Sequence, residues 1–396
     1  MRICMFHRYY LPVFSGAAMF SHDEAQVMLE QGHKVWVLTP RYLGLPHEEV
    51  LDGVPVIRAP IAGRTRRQQF LTFMFSATRE LVRRRDDYEI LNLFDLDSFD
   101  LLPVLIAKAL GKSVLYRITM MPANPSRVVE KRGVALTSLG LRLVDGFAVL
   151  STAMVPFLEA TGLSDRPIAF LPNHVDTALY RPASPSEKTE LRRELGLEQD
   201  ATYLCFVGSV VERKGVDVLL SAFGRVADQC AEARLLVVGP DVFIKPGFED
   251  EPNQRCQDFA DAMKRRVREL GLATRVIFTG RTDQVPEYLR ASDMFVFPSR
   301  KEGMPRVVIE AMATGLPCIV AHLDGATEDM ITHGVDGYIV EGHDPALYAE
   351  QVLHLLGNPA EAERMGQAAR RTVEEKFRLE HVVERYISFC QELLAR

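Results

Sequence analysis

Short apolar runs alternate with stretches of helical periodicity along the first half of the chain. The apolar runs predict buried strands, which we place at residues 3–6, 35–39, 54–58, 89–93, 113–118 and 146–150. The periodic stretches predict helices, which we place at residues 17–30, 70–83 and 101–110. Strands that alternate with helices in this way predict an α/β domain with a doubly wound, mostly parallel sheet.

The second half of the chain repeats this pattern. Its apolar runs predict strands at residues 203–207, 235–238, 276–278, 294–297, 318–320 and 338–340. A Pro- and Ser-rich junction at residues 183–187 separates the halves, and a chain of 396 residues exceeds what one hydrophobic core usually supports. We therefore predict two domains, residues 1–182 and 183–376, followed by a segment at residues 377–396 that contains a terminal helix.

The densest pattern of candidate chemistry lies at residues 298–320. The buried run before it ends at Pro298, and a short polar loop follows. Pro305 then suits the first position of a helix, and Gly315 marks where that helix stops. A strand, loop, helix and strand in this order place a ligand crevice at the carboxyl end of the first strand.

Two carboxylates border this predicted crevice. Glu302 lies in the loop, and Glu310 lies a little over one helical turn past Pro305, where its side chain leans back toward the start of the helix. The helix start also offers backbone N–H groups that suit an anion, namely those of Gly303, Met304 and Arg306. A ligand with an anionic part and neighbouring hydroxyl groups, such as a nucleoside diphosphate sugar, fits this combination.

The segment PSRKEGMPRVVIEAMATGLP resembles the E-x7-E signature of the retaining glycosyltransferases of family 4, because the Pro-Ser, Glu-Gly, Pro, Glu-Ala-Met-Ala and Gly-x-Pro elements all stand in order. The resemblance implies the GT-B fold, in which two Rossmann-like domains face a central crevice. It implies that the first domain binds the acceptor, that the second binds the nucleotide sugar, and that the terminal helix crosses back to the first. In this family the first Glu contacts the donor sugar and the second contacts the ribose, roles that fall on Glu302 and Glu310.

The segment GSVVERKGVDVLL resembles the loop that supplies cations for the diphosphate in this family. The family usually has an Arg directly after the first Gly and a Lys before the next Gly. Lys214 matches, but Ser209 follows Gly208 where the Arg is expected, so we assign the second cation to Arg213. Two carboxylates beside a diphosphate need opposing positive charge, since like-charge repulsion would otherwise raise their pKa values. The predicted catalytic residues are thus Glu302, Arg213 and Lys214.

Two further segments resemble donor-binding parts of the family. SGAAMFSHDEAQVMLEQGHKVWVLTP is similar to the first unit, where a small residue pair lets the donor approach the backbone; Gly16 matches, and Ser15 replaces the second Gly. GRTDQVPEYLRASD, which contains Arg281, is similar to the nucleobase pocket, where contacts are mostly through the backbone, so uracil, guanine and adenine all stay open. The complete predicted donor site comprises Gly16, Gly208, Ser209, Arg213, Lys214, Arg281, Glu302, Gly303, Met304, Pro305 and Glu310.

Other polar residues carry alternative interpretations. The family often has an acceptor-side His after the fifth strand of its first domain; this sequence has none there, and Arg117 and Thr119 are the candidate acceptor contacts. Asp95 and Asp97 form a D-x-D pair, which binds a divalent metal in another glycosyltransferase fold, but we interpret them as a helix cap and expect no metal or other cofactor. His174 stands where the family's interdomain segment has Gly, and we interpret it as a linker residue rather than a catalytic one.

Composition and charge agree with a globular enzyme. Charged residues make up 25% and hydrophobic residues 47% of the chain, and the net charge of −6 gives no indication of a nucleic-acid partner. The six cysteines form no C-x-x-C pair, so we expect free thiols in a reducing compartment. The N-terminal apolar run is too short for a signal peptide, and no apolar run reaches the ~18 residues of a spanning helix. We therefore expect a cytoplasmic protein.

One predicted helix raises the question of a membrane. The apolar stretch at residues 70–75 is flanked by basic residues, namely Arg64, Arg66, Arg67, Arg83, Arg84 and Arg85. The helix could lie on a bilayer that carries a lipid-linked acceptor, or it could be a core helix with basic ends, and the sequence leaves both open. Peripheral contact with the inner face of the membrane is therefore one of the alternatives.

Together these observations predict a metal-independent transfer of a hexose from a UDP or GDP sugar to a hydroxyl acceptor, either a glycan or a lipid-linked glycan. The family resemblance implies that the transfer retains the configuration of the donor. Two alternatives belong to other classes. A nucleotide-sugar epimerase of the same fold would turn over without an acceptor, and a non-catalytic binding subunit would hold the donor without turnover. The presence of Glu302 and Lys214 argues against the non-catalytic subunit.

Overall fold

The computed structural model describes the chain except for residues 14–15, 43, 95–100, 120–139, 161–162, 164, 243, 246–247 and 253. The described residues divide into two compact units, one formed by Met1–Asn173 with Leu379–Arg396 and the other by His174–Arg378. Each unit is an α/β domain built on a parallel or mostly parallel sheet, as the alternating pattern predicts. Among the described helices, none combines the length and the apolar character that crossing a membrane requires.

The boundary between the units lies earlier in the chain than the predicted Pro- and Ser-rich junction. Residues 174–182 already belong to the second unit. The N–H of Val175 donates a hydrogen bond to the Phe377 carbonyl (2.9 Å), and the guanidinium of Arg370 donates to the Tyr180 carbonyl (2.7 Å). These long-range hydrogen bonds tie the segment to the second unit, which a composition shift alone cannot reveal.

The first unit is built on an eight-stranded sheet. Its strands are β1 (Arg2–Phe6), β2 (Lys34–Arg41), β3 (Glu48–Leu51), β4 (Val54–Pro60), β5 (Ile90–Phe94), β6 (Ser113–Ile118), β7 (Gly146–Val149) and β8 (Ile168–Phe170). They are arranged in the order β3-β4-β2-β1-β5-β6-β7-β8, and all neighbours are parallel except β3 and β4. The sequence pattern misses the two edge strands, because β3 is half exposed and β8 is short.

The described helices that follow these strands are α1 (Gly16–Glu30), α2 (Arg66–Arg83), α3 (Leu101–Ala109) and α4 (Val155–Ala160). Helix α2 begins earlier than predicted because it has a capping box. The hydroxyl of Thr65 accepts from the N–H of Gln68, and the side chain of Gln68 accepts from the N–H of Thr65. These polar residues precede the apolar periodicity and so escape a search for it.

The second unit contains a six-stranded, fully parallel sheet. Its strands are β9 (Thr202–Val207), β10 (Ala233–Val238), β13 (Val276–Gly280), β14 (Met294–Phe297), β15 (Cys318–Ala321) and β16 (Tyr338–Val340), and a separate antiparallel pair is formed by β11 (Ile244–Lys245) and β12 (Phe248–Pro252). The order in the sheet is β13-β10-β9-β14-β15-β16. All six strands predicted in this half are confirmed. Four of them are almost entirely buried, whereas β13 is mostly half-buried.

The helices of the second unit are α5 (Pro185–Glu194), α6 (Val216–Ala227), α7 (Gln254–Glu269), α8 (Val285–Ala291), α9 (Arg306–Ala313), α10 (Ala326–Met330), α11 (Pro345–Gly357) and α12 (Pro359–Lys376). The final helix, α13 (Leu379–Ala395), is part of the first unit. Its residues Tyr386 and Cys390 are fully buried in the core formed with β1 and α1. The amide of Asn92 on β5 donates a short hydrogen bond to the Tyr386 hydroxyl.

All six cysteines are free thiols. Cys4, Cys205, Cys318 and Cys390 are buried, whereas Cys230 and Cys256 are only partly covered. Burial raises the pKa of the Cys205 thiol to about 12. The free state of the six cysteines agrees with the prediction of free thiols.

Candidate active site

The candidate site lies where the strand order of the second sheet reverses. Strands β9 and β14 are neighbours, but β10 and β13 lie on one side of them and β15 and β16 on the other. A crevice opens outside the carboxyl ends of the strands at such a switch point. Two segments emerge there: residues 208–215 after β9, which we call the basic turn, and residues 298–305 after β14, which we call the glutamate loop.

The basic turn contains one turn of 3-10 helix, Glu212–Lys214, that ends at Gly215 in the left-handed region (φ 70°). A Cβ atom at Gly215 would lie 2.0 Å from the Pro298 carbonyl oxygen, so glycine is required both for the conformation and for the close approach of the glutamate loop. The sequence motif places this glycine, but its contact with Pro298 appears only in the structure.

Several hydrogen bonds join the glutamate loop to the basic turn. The N–H of Arg300 donates to the Arg213 carbonyl (2.8 Å), and the Ser299 hydroxyl donates to the same carbonyl (3.2 Å). The guanidinium of Arg300 donates to the Glu212 carbonyl (2.6 Å) and forms a two-pronged ion pair with Asp217 at the start of α6 (2.8 and 2.6 Å). The two segments are therefore held together by backbone as well as side-chain contacts.

The carboxylate of Glu302 forms ion pairs with both cations of the basic turn. Its Oε1 accepts from Arg213 Nη1 (2.7 Å) and Lys214 Nζ (2.8 Å), and it also accepts from the Ser299 hydroxyl (2.8 Å). Adjacent residues of a regular helix or strand would point apart, but this tight turn directs both side chains to one oxygen. The predicted catalytic residues Glu302, Arg213 and Lys214 are thus brought together.

The two cations differ in their surroundings. The Lys214 side chain is only 15% exposed, and its ammonium lies 5.0 Å from the centre of the Phe297 ring. Burial lowers the pKa of Lys214 below its ordinary value, and the neighbouring Glu302 carboxylate opposes this shift. Arg213 is more exposed and also donates to the Lys301 carbonyl (2.6 Å). Lys214 is therefore the inner cation and Arg213 the outer one.

Helix α9 carries the second carboxylate. Pro305 is the residue before the helix rather than its first residue, which corrects the prediction by one position. Glu310 is buried, and its Oε1 lies 3.1 Å from Arg306 Nε one turn earlier. Gly315 adopts a left-handed conformation just past the helix end, as predicted. Met304 is buried at the helix start.

The remaining predicted donor residues are Gly208, Ser209, Arg281 and Gly16. Gly208 and Ser209 begin the basic turn, and the N–H of Gly208 donates to the Val238 carbonyl (2.8 Å). Arg281 is exposed directly after β13. Gly16 begins α1 of the first unit, where an added Cβ would meet no atom within 4 Å. Packing among the described residues therefore does not itself demand glycine at this position.

The acceptor prediction for Arg117 needs correction. Its side chain is fully buried on β6, where Nη1 forms an ion pair with Glu24 (2.6 Å) and Nη2 donates to the Leu171 carbonyl (3.3 Å). The guanidinium also lies 4.6 Å from the centre of the Phe20 ring. These contacts make Arg117 a core residue of the first unit. Thr119, the other candidate, is half-buried just after β6.

Structural roles are also predicted for His174 and for the pair Asp95 and Asp97. His174 is fully buried at the start of the second unit, which favours the interpretation as a packed linker residue. Asp95 and Asp97 lie outside the described residues. Sequence reasoning also overlooked the site residues Ser299 and Arg300, although both belong to the PSRKEG segment that drew attention to Glu302.

Helix α2 has a buried face and an exposed apolar face. Phe73 and Met74 are buried, which agrees with a core helix. Leu71, Phe75 and Val82 are spaced four and seven residues apart, and Phe75 is 70% exposed. The exposed basic residues within the helix or next to it in sequence are Arg64, Arg79, Arg83 and Arg85. The buried face fits the core-helix interpretation, whereas membrane contact of the exposed face stays a prediction.

Two family models match the chain. The model of "Glycosyl transferases group 1" matches residues 187–372, and the model of "Glycosyltransferase Family 4" matches residues 14–179. Among characterised proteins, the N-acetyl-alpha-D-glucosaminyl L-malate synthase of Bacillus anthracis is 25% identical over 402 residues, spanning 97% of this chain and 95% of that protein.

Solved structures show the same fold at low identity. Sucrose-phosphate synthase from Thermosynechococcus elongatus superposes with a TM-score of 0.79 at 20% identity, covering 99% of both chains. Anabaena HepE in complex with UDP gives a TM-score of 0.79 at 17% identity, covering 99% of this chain and 100% of that one. These likenesses extend over both units.

Proposed function

Since this chain belongs to the group 1 and family 4 glycosyltransferases and has the GT-B fold, we propose that it transfers a hexose from a nucleoside diphosphate sugar to a hydroxyl acceptor with retention of configuration. The family and the fold agree with the glycosyltransferase resemblance of the E-x7-E segment. The donor and the acceptor go beyond them and are proposed on the grounds that follow. The proposed retention of configuration rests on the resemblance of the E-x7-E segment to that of the retaining enzymes.

One observation carries the donor proposal. At the switch point of the second sheet, Arg213 and Lys214 converge on Glu302, within hydrogen-bond distance of one carboxylate oxygen. Two cations suit the two negative charges of a diphosphate, and a carboxylate beside them suits the hydroxyl groups of the attached sugar. Glu310 on α9 is the acidic residue proposed to bind the ribose, and the start of α9 offers backbone N–H groups to an anion.

The proposed roles in catalysis depend on where negative charge develops during transfer of the sugar. As the bond from the sugar to the diphosphate breaks, negative charge grows on the leaving phosphate oxygens. Lys214 and Arg213 would stabilise this charge, and burial of Lys214 strengthens its effect because little water screens it. Glu302 would hold the sugar by its hydroxyl groups. We propose that these residues act without a metal ion, because the two cations supply the positive charge that the leaving group needs.

The site residues do not determine the nucleobase of the donor or the acceptor. The presence of UDP in the Anabaena HepE structure supports uridine nucleotides as the first donors to test, with guanosine nucleotides next. The acceptor is proposed to be a glycan or a lipid-linked glycan. The exposed apolar face of α2, with Leu71, Phe75 and Val82 beside basic residues, supports peripheral contact with an anionic membrane surface.

The deciding experiment is a transfer assay on the purified chain with a panel of UDP and GDP hexoses and candidate acceptors, with and without excess chelator. We expect release of nucleoside diphosphate that requires an acceptor, persists with chelator, and yields a product with the anomeric configuration of the donor by NMR. Turnover of the donor sugar without any acceptor would favour an epimerase instead. Loss of activity in chelator with rescue by manganese would overturn the metal-independent mechanism.

A further inference from the structure

Arg300 contacts the basic turn with both its backbone and its side chain. Its N–H donates to the Arg213 carbonyl (2.8 Å), and its Nη1 donates to the Glu212 carbonyl (2.6 Å). These carbonyl groups belong to consecutive residues of the 3-10 turn. One residue of the glutamate loop therefore fixes two successive peptide groups of the segment that presents the cations.

The carboxylate of Asp217 holds the guanidinium of Arg300 in place. Its Oδ1 and Oδ2 accept from Nη1 (2.8 Å) and Nη2 (2.6 Å), the fork geometry that sets both the position and the plane of an arginine head. Burial alone would raise the pKa of Asp217, but the hydrogen bonds and the positive charge of Arg300, together with backbone hydrogen bonds, hold the pKa below the ordinary value. Because Asp217 belongs to the first turn of α6, it connects the turn to a rigid element.

The conformation of the basic turn decides where the cations point. Arg213 and Lys214 are adjacent in sequence, yet both lie within 2.8 Å of Glu302 Oε1. A small rotation of either peptide group in the turn would swing one of the side chains away. The hydrogen bonds from Arg300 oppose that rotation, since they hold the Glu212 and Arg213 carbonyl groups of the turn in place.

We propose that Arg300 and Asp217 are positioning residues that hold the basic turn in the conformation from which Arg213 and Lys214 both meet the diphosphate of the donor. The inference rests on the proposed function, because it assumes that the diphosphate binds to these two cations. It adds two residues outside the donor site predicted from the sequence. Neither needs to touch the donor.

The Asp217→Asn variant distinguishes a positioning effect on nucleotide affinity from a purely electrostatic one. The substitution removes one negative charge near the cations, so long-range electrostatics alone would strengthen the binding of an anionic ligand. Loss of the forked contact should instead weaken UDP and GDP binding about tenfold, as expected for coupled residues in one network. Glu212→Gln is the matched control, since it removes one charge from the same turn while its exposed carboxylate contacts Arg255. It should leave binding unchanged or slightly stronger.

A double-mutant cycle tests whether the effect passes through the cations. In the Lys214→Ala background, Asp217→Asn should weaken UDP binding by about threefold or less, because one of the groups that it positions is already absent. Uridine, which has no phosphate, should bind equally to wild type and Asp217→Asn. Isothermal titration calorimetry at fixed ionic strength measures each affinity, and circular dichroism confirms that each variant is folded.

If Asp217→Asn fails to fold, Arg300→Lys provides the second variant, since lysine retains the charge but cannot form the fork. Binding of UDP that Asp217→Asn leaves unchanged or strengthens would overturn the positioning role. Equal weakening of UDP binding with and without Lys214 would overturn it as well. Absence of nucleoside diphosphate binding to wild type would overturn the proposed donor class itself, which keeps the two failures distinct.

Discussion

Replacing Arg117 with methionine tests whether this side chain supports the core of the first unit or serves an acceptor. Arg117 and Glu24 are both fully buried and form an ion pair of 2.6 Å. The guanidinium also donates to the Leu171 carbonyl and contacts the Phe20 ring. Methionine keeps the apolar contacts of the long side chain but removes the charge and the donors, so the Glu24 carboxylate stays buried without this counterion.

The expected loss of stability is large. Removing one partner of a buried ion pair costs roughly 3–5 kcal/mol, so Arg117→Met should lower the free energy of unfolding of the first unit by about 4 kcal/mol. Arg142→Met, at an exposed position, is the matched control and should change it by less than about 0.5 kcal/mol. Combining Arg117→Met with Glu24→Leu should restore part of the loss, because no charge then remains buried.

The chain offers a selective probe for this measurement. Trp36 is its single tryptophan and is buried on β2 of the first unit. Urea unfolding followed by tryptophan fluorescence therefore reports the stability of this unit. A loss of less than about 1 kcal/mol, together with abolished sugar transfer, would refute the structural role of Arg117 and restore it as an acceptor contact.

Three further predictions concern the proposed site and the membrane. Glu310→Ala should weaken nucleoside diphosphate binding about tenfold in calorimetry, whereas Glu302→Ala should leave that binding at least as tight and lower turnover about tenfold or more. Binding should weaken as the pH rises toward the lowered pKa of Lys214, since the ammonium loses its proton there, and calorimetry on Lys214→Arg should show no such fall. Phe75→Asp should reduce pelleting with anionic vesicles at low salt, whereas Leu105→Asp, at an exposed apolar position of α3, should not.

Specific results would contradict each of these. Equal weakening of nucleotide binding in the Glu302 and Glu310 variants would remove the distinction between sugar and ribose contacts. An affinity that is constant up to strongly alkaline pH would show that the charge of Lys214 does not contribute to binding. Vesicle pelleting that is absent in wild type would leave the exposed face of α2 without a membrane role.

The parts of the fold that the sequence predicts are those whose signals are local. Strand β14 is predicted from a buried apolar run that stops at Pro298, and helix α9 from Pro305 at its start and Gly315 after its end. Both elements begin and end close to the predicted positions. The edge strands β3 and β8 are missed because a half-exposed or very short strand has no apolar run to detect. The convergence of Glu302 and Arg213, which are 89 positions apart, has no local signal and could be expected only because both motifs resemble parts of one donor site in the family.

The parts that escape prediction depend on contacts between distant residues. Arg117 lies near the end of the predicted strand 113–118, and nothing nearby in the sequence reveals that Glu24, 93 positions earlier, forms an ion pair with it in the core. Likewise, Arg300 meets Asp217 across 83 positions. A single sequence gives the charge of each side chain but not its partner, so burial and pairing of ionisable groups require the structure.

The distribution of thiols makes each unit separately observable by optical methods. A maleimide dye reacts with thiolate, and the four buried cysteines combine poor access with pKa values raised by burial. Reaction should therefore favour Cys230 and Cys256, which both belong to the second unit. Intrinsic fluorescence then follows one half of the chain while an attached dye follows the half that carries the basic turn, in the unmodified wild-type sequence.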